Sequence, residues 1–221
     1  MGDHLFGFDI DNKWDYENGF HLTSHVNRLA KIMAQYELYK SIIGLPGHIV
    51  ECGVYKGASL IRLATFREIL ECGISRKIIA FDTFGKFPIP ESNSDSRFVE
   101  GFVGDGGEGI SVDELDRVLS FKSFKNYELI KGDIIDTVPR FAADNPELKI
   151  ALLHIDVDVY RPTTVILDEL YNRVVPGGIL MLDDYGTVAG ETDAVDEFIA
   201  GHNVALEKLP ISHVPTFIRK Q

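Results

Sequence analysis

The sequence predicts a doubly wound α/β fold: one seven-stranded, mostly parallel sheet with helices on both faces. Three observations predict it. Short apolar runs at residues 49–52, 78–82, 128–132, 150–156 and 178–183 alternate with stretches of helical periodicity, the pattern of strands joined by crossover helices. Two more β-like runs, 204–208 and 214–219, follow with Pro210 and Pro215 between them and no room for a crossover helix, so an antiparallel hairpin closes the chain. Finally, acidic residues stand at strand ends, where open parallel sheets bind ligands.

Length and composition bound the reading. A chain of 221 residues with 45% hydrophobic content builds one large domain with a full core. A formal net charge of −12 opposes binding to nucleic acid, which depends on Lys and Arg displacing counterions from phosphates. A small molecule or a protein is the expected partner. The only cysteines are Cys52 and Cys72; there is no basic, apolar leader and no apolar run of membrane-spanning length, so a cytoplasmic, non-membrane protein with reduced thiols is expected.

Residues 1–45 form an N-terminal cap segment and an amphipathic helix. The first 22 positions are polar and aromatic by turns (Phe6, Phe8, Trp14, Tyr16, Phe20) and are expected to dock on another surface. From Thr23 or Ser24 as N-cap, Val26, Leu29, Met33, Tyr36 and Ile43 recur at helical spacing up to the Gly44-Leu45-Pro46-Gly47 break. Residues 46–221 carry the sheet. Within them, residues 87–111 interrupt the alternation with a serine- and asparagine-rich run and then five glycines, Gly101, Gly104, Gly106, Gly107 and Gly109. A long flexible loop acting as a lid, within 87–120, is the expectation.

The first strand leads into Glu51-Cys52-Gly53-Val54-Tyr55-Lys56-Gly57-Ala58-Ser59, a glycine turn that lacks the third glycine of a dinucleotide fingerprint and the lysine–hydroxyl pair of a P-loop. Asp82-Thr83-Phe84 ends the next strand, where an acid can accept both hydroxyls of a ribose. Gly132-Asp133-Ile134 ends the third, where an acid meets an adenine amino group and Ile134 flanks the ring. Glu51, Asp82 and Asp133 thus describe a site for a ligand with cationic and nucleoside portions and no phosphate, which S-adenosylmethionine fits. The cofactor wall is expected from Glu51, Gly53, Val54, Tyr55, Gly57, Ser59, Asp82, Thr83, Phe84, Gly132, Asp133, Ile134 and Asp156.

Farther along, His154-Ile155-Asp156-Val157-Asp158 and Leu182-Asp183-Asp184-Tyr185 each follow an apolar run. Four carboxylates converging at one sheet edge repel one another unless a cation neutralises them, and all-oxygen ligation suits a hard ion such as Mg²⁺, with Mn²⁺ equally compatible. Seven strands ending in an antiparallel hairpin are the count of the Rossmann-like class I methyltransferase sheet.

Residues 46–57, Phe81-Asp82-Thr83-Phe84, Phe87-Pro88-Ile89-Pro90, Asp156-Val157-Asp158-Val159-Tyr160, Pro176-Gly177-Gly178 and Asp183-Asp184-Tyr185, in that order, resemble the macrocin O-methyltransferase family, whose members methylate sugar hydroxyls on antibiotics. The resemblance runs from about Thr23 to the C-terminus. It implies S-adenosylmethionine, a divalent metal held by Asp156, Asp183 and Asp184, Asp158 as general base, a sugar or other small hydroxyl acceptor, and a homodimer or larger homo-oligomer. The 90–111 segment departs from the family's pattern, so acceptor identity does not carry over.

Two other functions compete. Asp156-Val157-Asp158 is also a DxD motif of metal-dependent glycosyltransferases, which leaves Asp183-Asp184 and the terminal hairpin unexplained. A non-catalytic cofactor-binding scaffold would have no use for four clustered carboxylates. His154 is expected as a satisfied core histidine, Cys52 as an inert core thiol, and Asp193, Asp196 and Glu197 as the solvated face of a helix that turns Val195, Phe198 and Ile199 inward.

Overall fold

The computed structural model describes residues 4–90 and 92–221; residues 1–3 of the N-terminal segment and position 91 of the expected lid lie outside them. The chain opens with a small hairpin, β1 (His4–Leu5) and β2 (Phe8–Asp9), and two helices, α1 (Lys13–Thr23) and α2 (Val26–Lys40). Then follow β3 (His48–Cys52), α3 (Ala58–Leu70), β4 (Ile78–Asp82), α4 (Asn93–Gly106), α5 (Val112–Phe121), β5 (Tyr127–Lys131) and α6 (Ile134–Asp144). The second half runs β6 (Ile150–Ile155), α7 (Tyr160–Leu170), β7 (Val174–Leu182), α8 (Ala189–Gly201), β8 (Leu206–Lys208) and β9 (Thr216–Arg219).

Seven strands form one sheet in the order β5-β4-β3-β6-β7-β9-β8. β5, β4, β3, β6 and β7 pair in parallel, while β9 runs antiparallel to both β7 and β8, as the terminal hairpin predicts. Strand side chains alternate between two cores because successive Cβ atoms point to opposite faces. Val50, Cys52, Leu153 and Ile155 join Val138 of α6, Ile166 of α7 and Val195 of α8 on one face. Ile49, Leu152 and Met181 join Leu38 of α2, Leu63 of α3 and Leu115 of α5 on the other. All six residues of β6 are buried, and each large apolar side chain there contributes roughly 1.5–3 kcal/mol by leaving water. That rigidity fixes the strand ends that carry the acids.

Three expectations for the N-terminal half and the lid are corrected. Residues 13–23 form a helix of their own, and α2 begins after His25, whose Nδ1 accepts from the Asn27 amide at 3.3 Å, so neither Thr23 nor Ser24 is the cap. The face that α2 buries is Ala34, Gln35, Leu38 and Tyr39, whereas Val26, Leu29 and Met33 remain exposed. The helix carries two apolar stripes, and only the one nearer the sheet is covered.

The glycine-rich segment expected as a loop is largely α4. Ser92 caps it by accepting from the Asp95 amide at 3.1 Å, Phe98 and Phe102 stack one turn apart, and Gly107, at φ 73°, ends it. Phe102 also packs on Tyr55, with ring centroids 4.9 Å apart, and Gly106 leaves room for the Tyr55 hydroxyl, which a Cβ there would meet. Tertiary contacts thus offset the cost of glycines inside a helix.

Candidate active site

A cleft of about 1120 Å³ opens at the carboxyl ends of β3, β4, β6 and β7. One wall is the turn after β3. Gly53 holds φ 90°, and a Cβ there would run into the Asp156 backbone carbonyl, so glycine is required for β3 and β6 to end this close together. Asp82 braces the turn: its Oδ2 accepts from the amides of Val54 at 2.7 Å and Tyr55 at 3.1 Å, and its Oδ1 accepts from the Phe84 amide at 2.6 Å. Three of its roughly four lone-pair positions are therefore committed to backbone, fewer free acceptors than a grip on both ribose hydroxyls needs.

Of the residues expected to form the cofactor wall, Gly53, Val54, Tyr55, Ser59, Asp82, Thr83, Asp133, Ile134 and Asp156 line the cleft. Glu51, Gly57, Phe84 and Gly132 do not. Gly57 is the left-handed N-cap residue of α3 at φ 83°, Phe84 is a core side chain, and the Gly132 amide donates to the Asp82 carbonyl. Glu51 is fully buried behind the wall: its Oε1 accepts from the Ser59 hydroxyl and from His154, while Oε2 has no hydrogen-bond partner among the described residues.

The acids converge on the opposite side. Ligand atoms of Asp156, Asp158 and Asp184 lie within 4.8 Å of one another, and so do those of His154, Asp156 and Asp183; Asp156 belongs to both groups. Asp158 reaches the cleft from beyond the end of its strand. β6 ends at Ile155, and Asp158 sits in the left-handed region at φ 64°, a strained conformation that turns its carboxylate back toward Asp184. Glu191, at the start of α8, ties the two acid segments together. Its amide donates to the Asp158 carbonyl at 3.0 Å, and its Oε1 accepts from the Asp184 amide at 3.0 Å.

Crowding sets the proton inventory. Burial, then the Asp184 charge, pushes the Asp158 carboxyl up to about 8. Burial and the Asp183 charge also raise Asp156 and Asp184, and burial and Asp184 raise Glu191. Asp183 goes the other way. Burial opposes its charge, but hydrogen bonding and attraction from His154, with the Lys31 ammonium, outweigh it and hold the carboxyl below its ordinary range. His154 was expected as a satisfied core histidine and is one, and both of its partners are acids. Burial opposes its protonation, yet Nε2 faces Asp183 Oδ1 at 3.4 Å and Nδ1 faces Glu51 Oε1 at 3.2 Å, which raises the imidazole to about 10.

Sequence reasoning overlooked the cations. Lys31 pairs with Asp183 Oδ2, and Arg28, Arg62 and Arg161 line the same cleft. A signal was present: Arg28, Lys31 and Gln35 are polar positions at helical spacing, and they follow a stripe different from Val26, Leu29 and Met33. Cys52, by contrast, is the inert thiol expected, its ionisation suppressed by burial and by Glu51.

Over the cleft, α4 is tied at both ends. Asp95 Oδ2 accepts from the Tyr160 amide at 3.2 Å, and the Gly106 carbonyl accepts from the Tyr55 hydroxyl and the Lys56 ammonium, each at 2.6 Å. Phe87, Pro88 and Phe102 make this side of the cleft apolar. No helix among the described residues is long and apolar enough to cross a membrane.

Comparison with known proteins bears on this arrangement. The model of the macrocin-O-methyltransferase family (TylF) matches residues 26–220. Over 214 residues the chain is 29% identical to a demethyldecarbamoylnovobiocin O-methyltransferase of Streptomyces niveus, covering 89% of this chain and 74% of that one. It is also 29% identical over 169 residues to an 8-demethyl-8-(2,3-dimethoxy-alpha-L-rhamnosyl)-tetracenomycin-C 4'-O-methyltransferase of Streptomyces olivaceus, covering 73% of this chain and 61% of that one. Among solved structures, the calicheamicin methyltransferase CalS11 matches with a TM-score of 0.73 at 26% identity, over 94% of this chain and 85% of that one. The O-methyltransferase NovP matches with a TM-score of 0.76 at 23% identity, over 87% and 80% respectively, a likeness of fold.

Proposed function

Because the chain belongs to the macrocin O-methyltransferase family of S-adenosylmethionine-dependent enzymes, we propose that it methylates a hydroxyl of a sugar or glycosylated small molecule with the help of a divalent cation, Mg²⁺ or Mn²⁺. Asp156, Asp183 and Asp184 are the residues that would hold the cation, and Asp158 is the general base. The observation that carries this reading is the meeting of a nucleoside-sized wall, Gly53 to Tyr55 with Asp82, Asp133 and Ile134, and a buried carboxylate cluster in one cleft.

The donor set fits a hard cation. It is all oxygen, largely buried and self-repelling, and burial together with the charge of Asp183 makes Asp156 and Asp184 hold their protons more tightly than usual. When bound, S-adenosylmethionine supplies an electrophilic sulfonium methyl and the divalent cation acidifies an alcohol within its reach. The protein's own groups do the rest. Asp158, with its carboxyl near 8, is tuned to accept the acceptor's hydroxyl proton at neutral to mildly alkaline pH. Tyr55, Phe87 and Phe102 keep water from the space between donor and acceptor. Asp82 holds the Val54 and Tyr55 amides rigid, so the wall does not reorganise during the reaction. The α4 segment serves as the lid on the acceptor side.

We further infer a homodimer or higher homo-oligomer. Trp14 and Leu22 on α1 and Val26, Leu29 and Met33 on α2 are large apolar side chains left in solvent, a density that favours burial against a second copy. The glycosyl-transfer alternative leaves the family match and Asp183-Asp184 unaccounted for.

The test is calorimetric titration of S-adenosylmethionine into the protein, followed by Mg²⁺, and then turnover on a panel of glycosides. Cofactor binding with Mg²⁺-dependent methylation of a sugar hydroxyl is the expected result. Cofactor binding with turnover unaffected by a chelator would remove the metal. Metal-dependent binding of a nucleotide sugar without cofactor binding would move the activity to glycosyl transfer.

A further inference from the structure

Lys31 comes from α2, outside the sheet, and its side chain crosses into the carboxylate cluster. Its ammonium pairs with Asp183 Oδ2, while Asp183 Oδ1 faces the His154 ring. Asp183 is 2% exposed and Lys31 19%, so the pair is nearly dry on the carboxylate side and open to the cleft on the lysine side. Both oxygens of one expected metal ligand are therefore already engaged by groups of the protein, the Lys31 ammonium and the His154 ring. These two groups differ in mobility. His154 is fixed within β6, fully buried, with both ring nitrogens engaged. Lys31 is a compact charge on a flexible four-carbon stem, lining a cleft large enough to receive it elsewhere.

We propose that Lys31 is the exchangeable counter-cation of the free site: its ammonium competes with the divalent metal for Asp183 and must withdraw into the cleft before the metal is held. The inference rests on the metal-dependent reading above. An ammonium and a divalent ion sharing one carboxylate oxygen repel across a few ångströms in a poorly hydrated pocket. The attraction of Asp156 and Asp184, which also favours the Lys31 charge, passes to the metal as Lys31 leaves. Metal loading is thereby coupled to α2, and in the free protein the pair with Lys31 keeps Asp183 in place with no metal bound.

The experiment is titration of Mn²⁺ and Mg²⁺ into metal-free protein, followed by calorimetry and by the Mn²⁺ paramagnetic resonance signal. The proteins compared are wild type, Lys31→Met and Arg28→Met. Arg28 lines the same cleft without an ion pair to Asp183, so Arg28→Met reports the general effect of removing a nearby positive charge. Competition predicts that Lys31→Met binds metal roughly tenfold or more tightly than wild type, and that Arg28→Met changes affinity by less than about threefold. Lys31→Gln, which keeps a hydrogen-bond donor for Asp183 and loses the charge, serves as the second variant if Lys31→Met does not fold, and carries the same prediction. A purely structural lysine predicts weaker metal binding in these variants, which would overturn the proposal, as would equal gains in the Lys31 and Arg28 variants. Wild-type binding with no change in the Lys31 variants sinks the competition alone. Absence of metal binding in every protein sinks the metal-dependent reading and the competition with it.

Discussion

Asp158→Asn separates the catalytic from the structural consequences of the buried carboxylates. Asp158 sits at φ 64°, a region that Asn tolerates as well as Asp, and the amide keeps the shape of the carboxyl, so charge is the variable. The folded carboxyl titrates near 8 against an ordinary value of 3.8, chiefly from burial and then from Asp184. A folded value raised above the unfolded one means that stability is fully present below the unfolded value and lost as pH rises. Between about pH 4 and 8 the unfolded chain releases the proton while the folded one retains it, costing the wild type up to ~1.4 kcal/mol per pH unit. The ceiling across that window is ~6 kcal/mol, and sharing of the proton among Asp156, Asp158 and Asp184 keeps the real figure below it. The variant cannot ionise at this position. Its advantage over wild type, measured from urea midpoints in the presence of a chelator, therefore widens with pH between about pH 5 and 8, by at least ~0.5 kcal/mol per unit. Excess Mg²⁺ narrows the gap, because it stabilises the ionised wild-type cluster. Turnover falls by roughly 10² or more while cofactor affinity holds. A stability gap independent of pH would refute the electrostatic argument, and turnover within about threefold of wild type would refute the base.

Gly53→Ala forces a Cβ against the Asp156 carbonyl at a positive φ, so a stability loss of ~2 kcal/mol or more and weakened cofactor binding are expected in denaturation and calorimetry; wild-type values for both would show that the turn is not held as described. Asp95→Ala frees the N-terminal end of α4 from the Tyr160 amide; it raises the acceptor KM severalfold and leaves isolated cofactor affinity unchanged, and intact acceptor kinetics would remove the lid role. Leu29→Glu with Met33→Glu places charges on the exposed stripe of α2 and lowers the mass seen by light scattering to that of the single chain; an unchanged mass would put the interface elsewhere.

Legibility in the sequence followed locality. The five parallel strands were readable because each is an apolar run closed by a glycine or an acid, and the terminal hairpin because two prolines leave no crossover. Asp156, Asp158, Asp183 and Asp184 were readable as a cluster because topology brings the ends of adjacent strands together wherever those strands are parallel neighbours. α4 was not readable. Its glycines argue against a helix, and what holds it are a serine cap, the Phe98–Phe102 stack and the Tyr55 hydroxyl from across the cleft. The inner face of α2 was misassigned for a related reason: two apolar stripes satisfy the same period, and only the position of the sheet selects Leu38 and Tyr39 over Leu29 and Met33. Glu51 looked like a ligand-facing strand-end acid and is instead a buried partner of Ser59 and of His154, the latter 103 positions away in the chain.

The positions of acids and cations in the fold divide the work between them. The carboxylates stand at the ends of β6 and β7, whose backbones are locked in the sheet and tied to each other by Glu191, so their mutual repulsion cannot be relieved by moving apart. The positive groups that line the cleft are carried on helices and the β3 turn: Arg28 and Lys31 on α2, Lys56 on the turn, Arg62 on α3 and Arg161 on α7. Relief of the repulsion must then come from protons, from these side chains or from a bound ion. All three are exchangeable, and each exchange alters the affinity for the next. A site built this way has a fixed place for charge and a variable means of neutralising it. The same arrangement explains why the Asp183 carboxyl is held below its ordinary range while Asp156 and Asp184 are raised: Asp183 hydrogen-bonds both the buried His154 ring and the Lys31 ammonium.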